Sequence, residues 1–308
     1  MTVTATSCPR GAAAPVAGGR FELLRALGSL AALHTDAAAG IAAALDLAPW
    51  TRAEHTLLFV LELPPYASIH LGPEGKLGGE GADRVAGCWR ALGMSPPADA
   101  DHLANVLGLY AELGEAAEAC RTPAARALLD HVRESVLWEH LWSWVPGYLD
   151  AVKRVSPAAG GWSRLVTAAL SREVGSSAAP HDVPLALRAA PPAVTAEMSL
   201  GDLLDALTTP VRSGFVLTQG DLAGAAGLAG VGLRRGERRF ALRAMLEQDG
   251  VATLRSLSDH AHRWAALHAT RPTVVADPHL DPSRWWASRA ATSASVLRRL
   301  ADEGRAPV

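Results

Sequence analysis

The sequence predicts an all-α protein, and three observations carry this reading. Apolar residues recur at helical spacing along most of the chain. Helix-start signals precede several of these runs, and strand-like alternation of β-branched residues is scarce. At 308 residues the chain can bury one large domain or two modest ones. A hydrophobic content of 49% excludes wholesale disorder.

The elements follow in order. Met1–Gly19 is rich in Ala, Gly and Pro and lacks a compact apolar stretch, so it reads as a disordered leader and not a signal peptide. Phe21, Leu24, Leu27 and Leu30 form the stripe of a first helix. Thr51 and Glu54 are spaced as a capping box, with Leu57, Leu58 and Phe59 following. Pro64–Pro65 ends that helix, and Gly72–Gly81 is a glycine-rich turn region. Further helices are expected at Val85–Leu92 and from Asp101, which is placed to cap the helix it starts. Thr122–Pro123 opens another, running toward Trp138 and Trp144, with Pro146 set to kink or end it.

After a helix at Trp162–Arg172 the pattern lapses. Four prolines between Gly175 and Ala196 mark a linker, assigned to 176–197. Helical signals return with Ser199–Asp202 and Thr218–Asp221, both spaced as capping boxes. A stripe of Val251, Leu254, Leu257, Ala261, Trp264 and His268 follows, and Asp281–Pro282 opens the last helix. The expected organisation is a leader at 1–19, a helical domain at 20–175, the linker, and a helical extension at 198–305. About ten helices follow from the pattern.

Composition narrows the function. A formal charge of −2 gives no global attraction to nucleic acid or an anionic membrane. No apolar run reaches the roughly 18 residues a membrane span needs. Cys8, Cys88 and Cys120 are scattered with no CxxC pair, so reduced thiols in a cytoplasmic protein are expected, with no metal site and no cofactor. His260 and His262 fall on different helix faces, which argues against a shared metal. No nucleophile, phosphate loop or zinc motif stands in a usable context, so no enzyme activity is expected. One rival remains: Arg234, Arg235, Arg238 and Arg239 follow Thr218–Leu222, and the segment 217–245 reads as a helix-turn-helix with its recognition helix starting near Arg234.

A resemblance adds to this. Leu58–Phe59, then Pro64-Pro65-Tyr66-Ala67-Ser68, then Cys88-Trp89-Arg90-Ala91-Leu92-Gly93, then Asp101-His102-Leu103 follow one another in order. The series resembles the TorD/DmsD family of molybdoenzyme chaperones, with its Leu-Phe pair, Pro-Pro-Tyr-x-Ser loop, Trp-Arg helix and Asp-His-Leu helix start. Glu139-His140-Leu141-Trp142-Ser143-Trp144-Val145-Pro146 is similar to a further segment of that family. The likeness spans about 20–175. Ala67, His70 and Val106 depart from the family pattern, and the region after 196 lies outside it.

The resemblance implies a TorD-like helical bundle. It implies a cytoplasmic, non-catalytic chaperone, monomeric or homodimeric, that binds the leader and apo form of a molybdenum-cofactor oxidoreductase of the dimethyl-sulfoxide-reductase group. Such a protein assists cofactor insertion and delays twin-arginine export. A leader with paired arginines and an apolar stretch needs an apolar groove and a carboxylate acceptor. Leu58, Phe59, Pro64, Pro65, Tyr66, Ser68 and Trp89 are the candidates for the groove. Asp101 is the candidate carboxylate, with His102 beside it.

Overall fold

The computed structural model describes residues 19–275 and 277–304. The predicted leader, apart from Gly19, and Cys8 lie outside the described residues. Every regular element among the described residues is helical, and the one β-bridge is isolated. The chain forms two compact units. The first holds the described residues up to Ser68 together with Gly78–Pro180, and the second holds Ile69–Leu77 with the described residues from His181. The expected continuous domain at 20–175 is thus interrupted, because Ile69–Leu77 packs with the C-terminal unit.

In the first unit, α1 (Gly19–Ala32) is followed by α2 (Asp36–Ala44), which Thr35 caps by accepting from the Ala38 amide. Then α3 (Arg52–His55) opens on a complete Thr51/Glu54 capping box and widens into a π-helical turn over Thr56–Glu62. Such turns are rare and leave uneven exposure along a helix. The short α4 (Ala67–Leu71) passes from the first unit into the second. Four helices follow in the first unit: α5 (Gly79–Ala91), α6 (Leu103–Ala119), α7 (Pro123–Ser135) and, after a second π-helical turn at Val136–Trp142, α8 (Val145–Val155). Pro146 lies in the first turn of α8, where its missing N–H costs nothing. Last comes α9 (Gly160–Ser176).

Small residues let α1 and α6 approach closely. A Cβ on Gly28 would stand 3.0 Å from the Ala104 Cα, and one on Gly114 would collide with the Phe21 ring. Trp162 donates its indole N–H to Leu27 O (2.9 Å), which ties α9 to α1. Beside it, Trp50, Phe59 and Trp162 meet edge to face.

The second unit begins with α10 (Leu185–Arg188) inside the expected linker. Ala186, Leu187 and Val194 are buried there, so much of that stretch is packed chain. Next are α11 (Leu200–Thr208), α12 (Pro210–Ser213) and α13 (Gln219–Ala229). Thr218/Asp221 is a complete capping box, whereas Ser199 caps α11 one way only, accepting from Asp202 N. After α14 (Arg238–Gln248), α15 (Gly250–Ala269) and α16 (Pro282–Asp302) form a long antiparallel pair. Its register is set by Arg255 with Asp302, Arg298 with Asp259, and His268 beside Trp286. Gly214, in a left-handed conformation (φ 83°), fits against Ala290 of α16, where a Cβ would stand 2.2 Å from the Ala290 nitrogen. Segment Ile69–Leu77 docks in this unit through Gly75, also left-handed, whose Cβ position faces the Thr209 backbone at 3.0 Å.

The rival reading of 217–245 as a helix-turn-helix does not match the structure. The second helix starts at Arg238, not near Arg234, after a connection far longer than the tight turn that motif requires. Arg238 donates to Leu217 O (2.8 Å) and Arg239 bonds Asp205 (2.5 Å), so both are committed within the unit.

Candidate functional site

The motifs separated in the sequence meet in the first unit as a backbone clasp. Tyr66 and His102 form an antiparallel bridge. Leu103 N donates to Pro65 O (2.8 Å), and Ala67 N donates to Asp101 O (3.0 Å). Pro65 and Pro64 cannot donate, so their loop takes part through its carbonyls and through the residues that follow. The Tyr66 and His102 rings stand edge to face, 4.8 Å apart. Tyr148 reaches the same loop, donating its hydroxyl to Leu63 O (3.0 Å).

Asp101 does not cap the helix it precedes, contrary to expectation. His102 is the N-cap of α6, and its Nδ1 accepts from Ala104 N (3.1 Å). The Asp101 carboxylate turns instead to α4 and accepts from Ser68 N (2.9 Å). The extended backbone of the clasp decides this, because it points the Asp101 side chain across to the neighbouring segment. Burial lowers the His102 pKa against the opposing pull of Asp99 and Asp101, so His102 is held neutral, as an acceptor at Nδ1 requires.

The nine candidate residues divide by exposure. Leu58 and Phe59 are buried in the aromatic core, and Pro65, Ser68, Trp89, Asp101 and His102 are buried as well. Pro64 and Tyr66 are half-buried. The exposed apolar surface lies on the opposite side of the π-helical turn. There Leu57, Val60 and Leu61 are 53, 57 and 67% exposed. Helical spacing after the capping box predicts Leu57 buried together with Leu58 and Phe59, and of these three Leu57 is exposed. The wider π turn moves Leu58 and Phe59 inward and leaves their neighbours outside. Ser68 Oγ and Trp89 Nε1 are buried with no hydrogen-bond partner among the described residues, a state that is uncommon in settled cores.

Away from the clasp, the first unit buries a charged group. Glu173 accepts from the Tyr110 hydroxyl (2.7 Å) and faces Arg133 and Arg20 at 3.7 and 3.9 Å. Burial and Glu173 raise the Tyr110 pKa, so the phenol stays a donor. With both guanidiniums against the Phe21 ring, the arrangement reads as a structural brace. Among the described residues no group of three His, Cys, Asp or Glu is placed to hold a metal ion, and no helix is long and apolar enough to cross a membrane. Among the described residues Cys88 and Cys120 form no disulfide.

Residues 24–150 match the model of the family described as "Nitrate reductase delta subunit". That stretch is less than half of the chain, and it is similar to a family of NarJ/TorD-type molybdoenzyme maturation chaperones, the group of the TorD/DmsD likeness. No curated protein and no solved structure matches the chain.

Proposed function

We propose that this protein is a cytoplasmic, non-catalytic chaperone that binds the leader and the apo form of a molybdenum-cofactor oxidoreductase subunit of nitrate-reductase type. It holds that subunit for cofactor insertion and delays twin-arginine export until assembly is complete. The observation that carries this reading is the exposed Leu57–Val60–Leu61 face, set just before the Pro64–Pro65–Tyr66 clasp and inside the family match. Three large apolar side chains in water on one turn invite an apolar partner. The leader's apolar stretch covers that face, and the half-buried Pro64 and Tyr66 border it. The buried candidates act by support: Leu58, Phe59 and Trp89 set the turn from below, while Asp101 and His102 fix the loop. No cofactor or metal is needed for this task, nor is nucleic acid.

Titration calorimetry tests the proposal, using the leader peptide of a molybdoenzyme encoded beside this gene. Wild type should bind at micromolar strength or tighter. Leu57→Ser with Leu61→Ser should weaken binding by more than about 10-fold, given the apolar area two leucines bury. Binding that ignores the serine pair would remove the face from the site, and no binding to such leaders would sink the chaperone reading.

A further inference from the structure

Apart from Ile69–Leu77 the second unit lies beyond the family match, and the connection between α13 and α14 gives it a surface of its own. Gln219, at the start of α13, donates its side-chain amide to Gly236 O (2.8 Å). Gln248, at the end of α14, accepts from Gly232 N and donates to Gly232 O, both at 2.8 Å. The chain from Gly230 to Gly236 therefore runs back as a strap from the end of α13 to its beginning, pinned at both ends. Gly236 (φ 147°) adopts a backbone that side chains disfavour, and a Cβ there would crowd Phe240 at 3.1 Å. Between the pins, Arg234 and Arg235 are exposed, and neither guanidinium has an ion-pair partner among the described residues. Leu233 and Phe240, 37 and 50% exposed, flank them.

We propose that this strap is a docking surface for a carboxylate-bearing segment of the apo client, in which acidic residues flank an apolar one. The inference rests on the chaperone reading above. Charge and number select this occupant. Nucleic acid or an anionic membrane demands roughly four to eight clustered cations. Here the neighbouring arginines are spent: Arg238 on Leu217 O, Arg239 on Asp205 and Arg243 on Glu247. Two free guanidiniums on a fixed backbone suit two carboxylates, each taking a forked pair of hydrogen bonds, with Leu233 and Phe240 covering an apolar side chain between them.

The test compares wild type, R234E/R235E and R234K/R235K as full chains, against the apo catalytic subunit and separately against its leader peptide. Because both positions are exposed, unchanged unfolding midpoints should accompany either pair. The glutamate pair should weaken binding of the apo subunit by roughly 10- to 100-fold, and the lysine pair, which keeps charge but loses the fork, by roughly 3- to 10-fold. Leader binding should change by less than about 2-fold, since the strap is not its site. A photo-crosslinker at Leu233 should mark an acidic stretch of the client. Equal binding of the apo subunit by wild type and the glutamate pair would overturn the proposal. So would charge-reversal effects confined to vesicles of anionic lipid or to duplex DNA. Failure of wild type to bind either the leader or the apo subunit would instead defeat the chaperone reading, and the strap's client with it.

Discussion

At the scale of single residues, the side chains that matter most here work through geometry. Asp101 spends its carboxylate on the amide of Ser68, so it holds the start of α4 and through it the Tyr66 loop. Asp101→Ala should lower stability by about 1–2 kcal/mol, the usual worth of a lost cap. Asp101→Asn, which retains an acceptor, should cost about half as much or less. Urea unfolding midpoints of the three proteins decide between them, and equal losses would show that the hydrogen bond contributes nothing. Glu173 makes a sharper case, because it is buried and accepts from the Tyr110 hydroxyl, while Arg20 and Arg133 also pair with Glu118 and Asp130. Glu173→Gln should cost about 1–2 kcal/mol, and Tyr110→Phe about 1–2 kcal/mol. Their double mutant should lose clearly less than the sum, since both act on one network. Strict additivity would mean that Tyr110 and Glu173 are energetically independent despite their 2.7 Å contact.

Elements are held together mainly by close approach. The α1–α6 interface depends on Gly28 and Gly114, and in the second unit Gly214 is wedged against the α16 backbone. That glycine carries two constraints, a left-handed φ and no room for a methyl group. Gly214→Ala should therefore cost more than about 3 kcal/mol or prevent the α15–α16 pair from closing. Hydrogen exchange at α15 and α16 amides would report it, and native-like protection in the alanine variant would refute the wedge. The same scale explains why Leu58 and Phe59 differ from Leu57 and Leu61. A π turn changes which residues share a face, and nothing in the local sequence announces it.

For the whole molecule, buried histidines set the response to acid. Burial lowers His70 to about 3 and His140 to about 4, with smaller downward shifts at His55 and His102. Each folded-state pKa lies below the unfolded value of about 6.5, so the unfolded chain binds more protons in between. The stabilisation these groups give is complete above about pH 6.5 and declines as pH falls toward about 4. Each histidine steepens that decline by up to about 1.4 kcal/mol per pH unit. Thermal midpoints recorded from pH 7.5 to 4.5 should fall steadily, and His70→Asn should flatten the slope. A flat profile in wild type would contradict the burial of these imidazoles in neutral form.

What the sequence determined by itself was the all-α class, most long helices and their caps, and the kinship of the first domain. Helical periodicity, Thr51/Glu54, Thr218/Asp221 and the ordered motifs are local signals that survive any packing. Two further results depended on tertiary contact. Ile69–Leu77 joins the C-terminal unit, because Gly75 meets Thr209, far away in the chain. The clasp also makes His102 the cap and sends Asp101 to Ser68, a choice fixed by backbone pairing between segments more than thirty residues apart. Which leucines face water, and whether an arginine is free or spent on Asp205, likewise depend on neighbours supplied by the fold. Sequence spacing fixes which residues share a helix, but only packing decides which of them remain available to a partner.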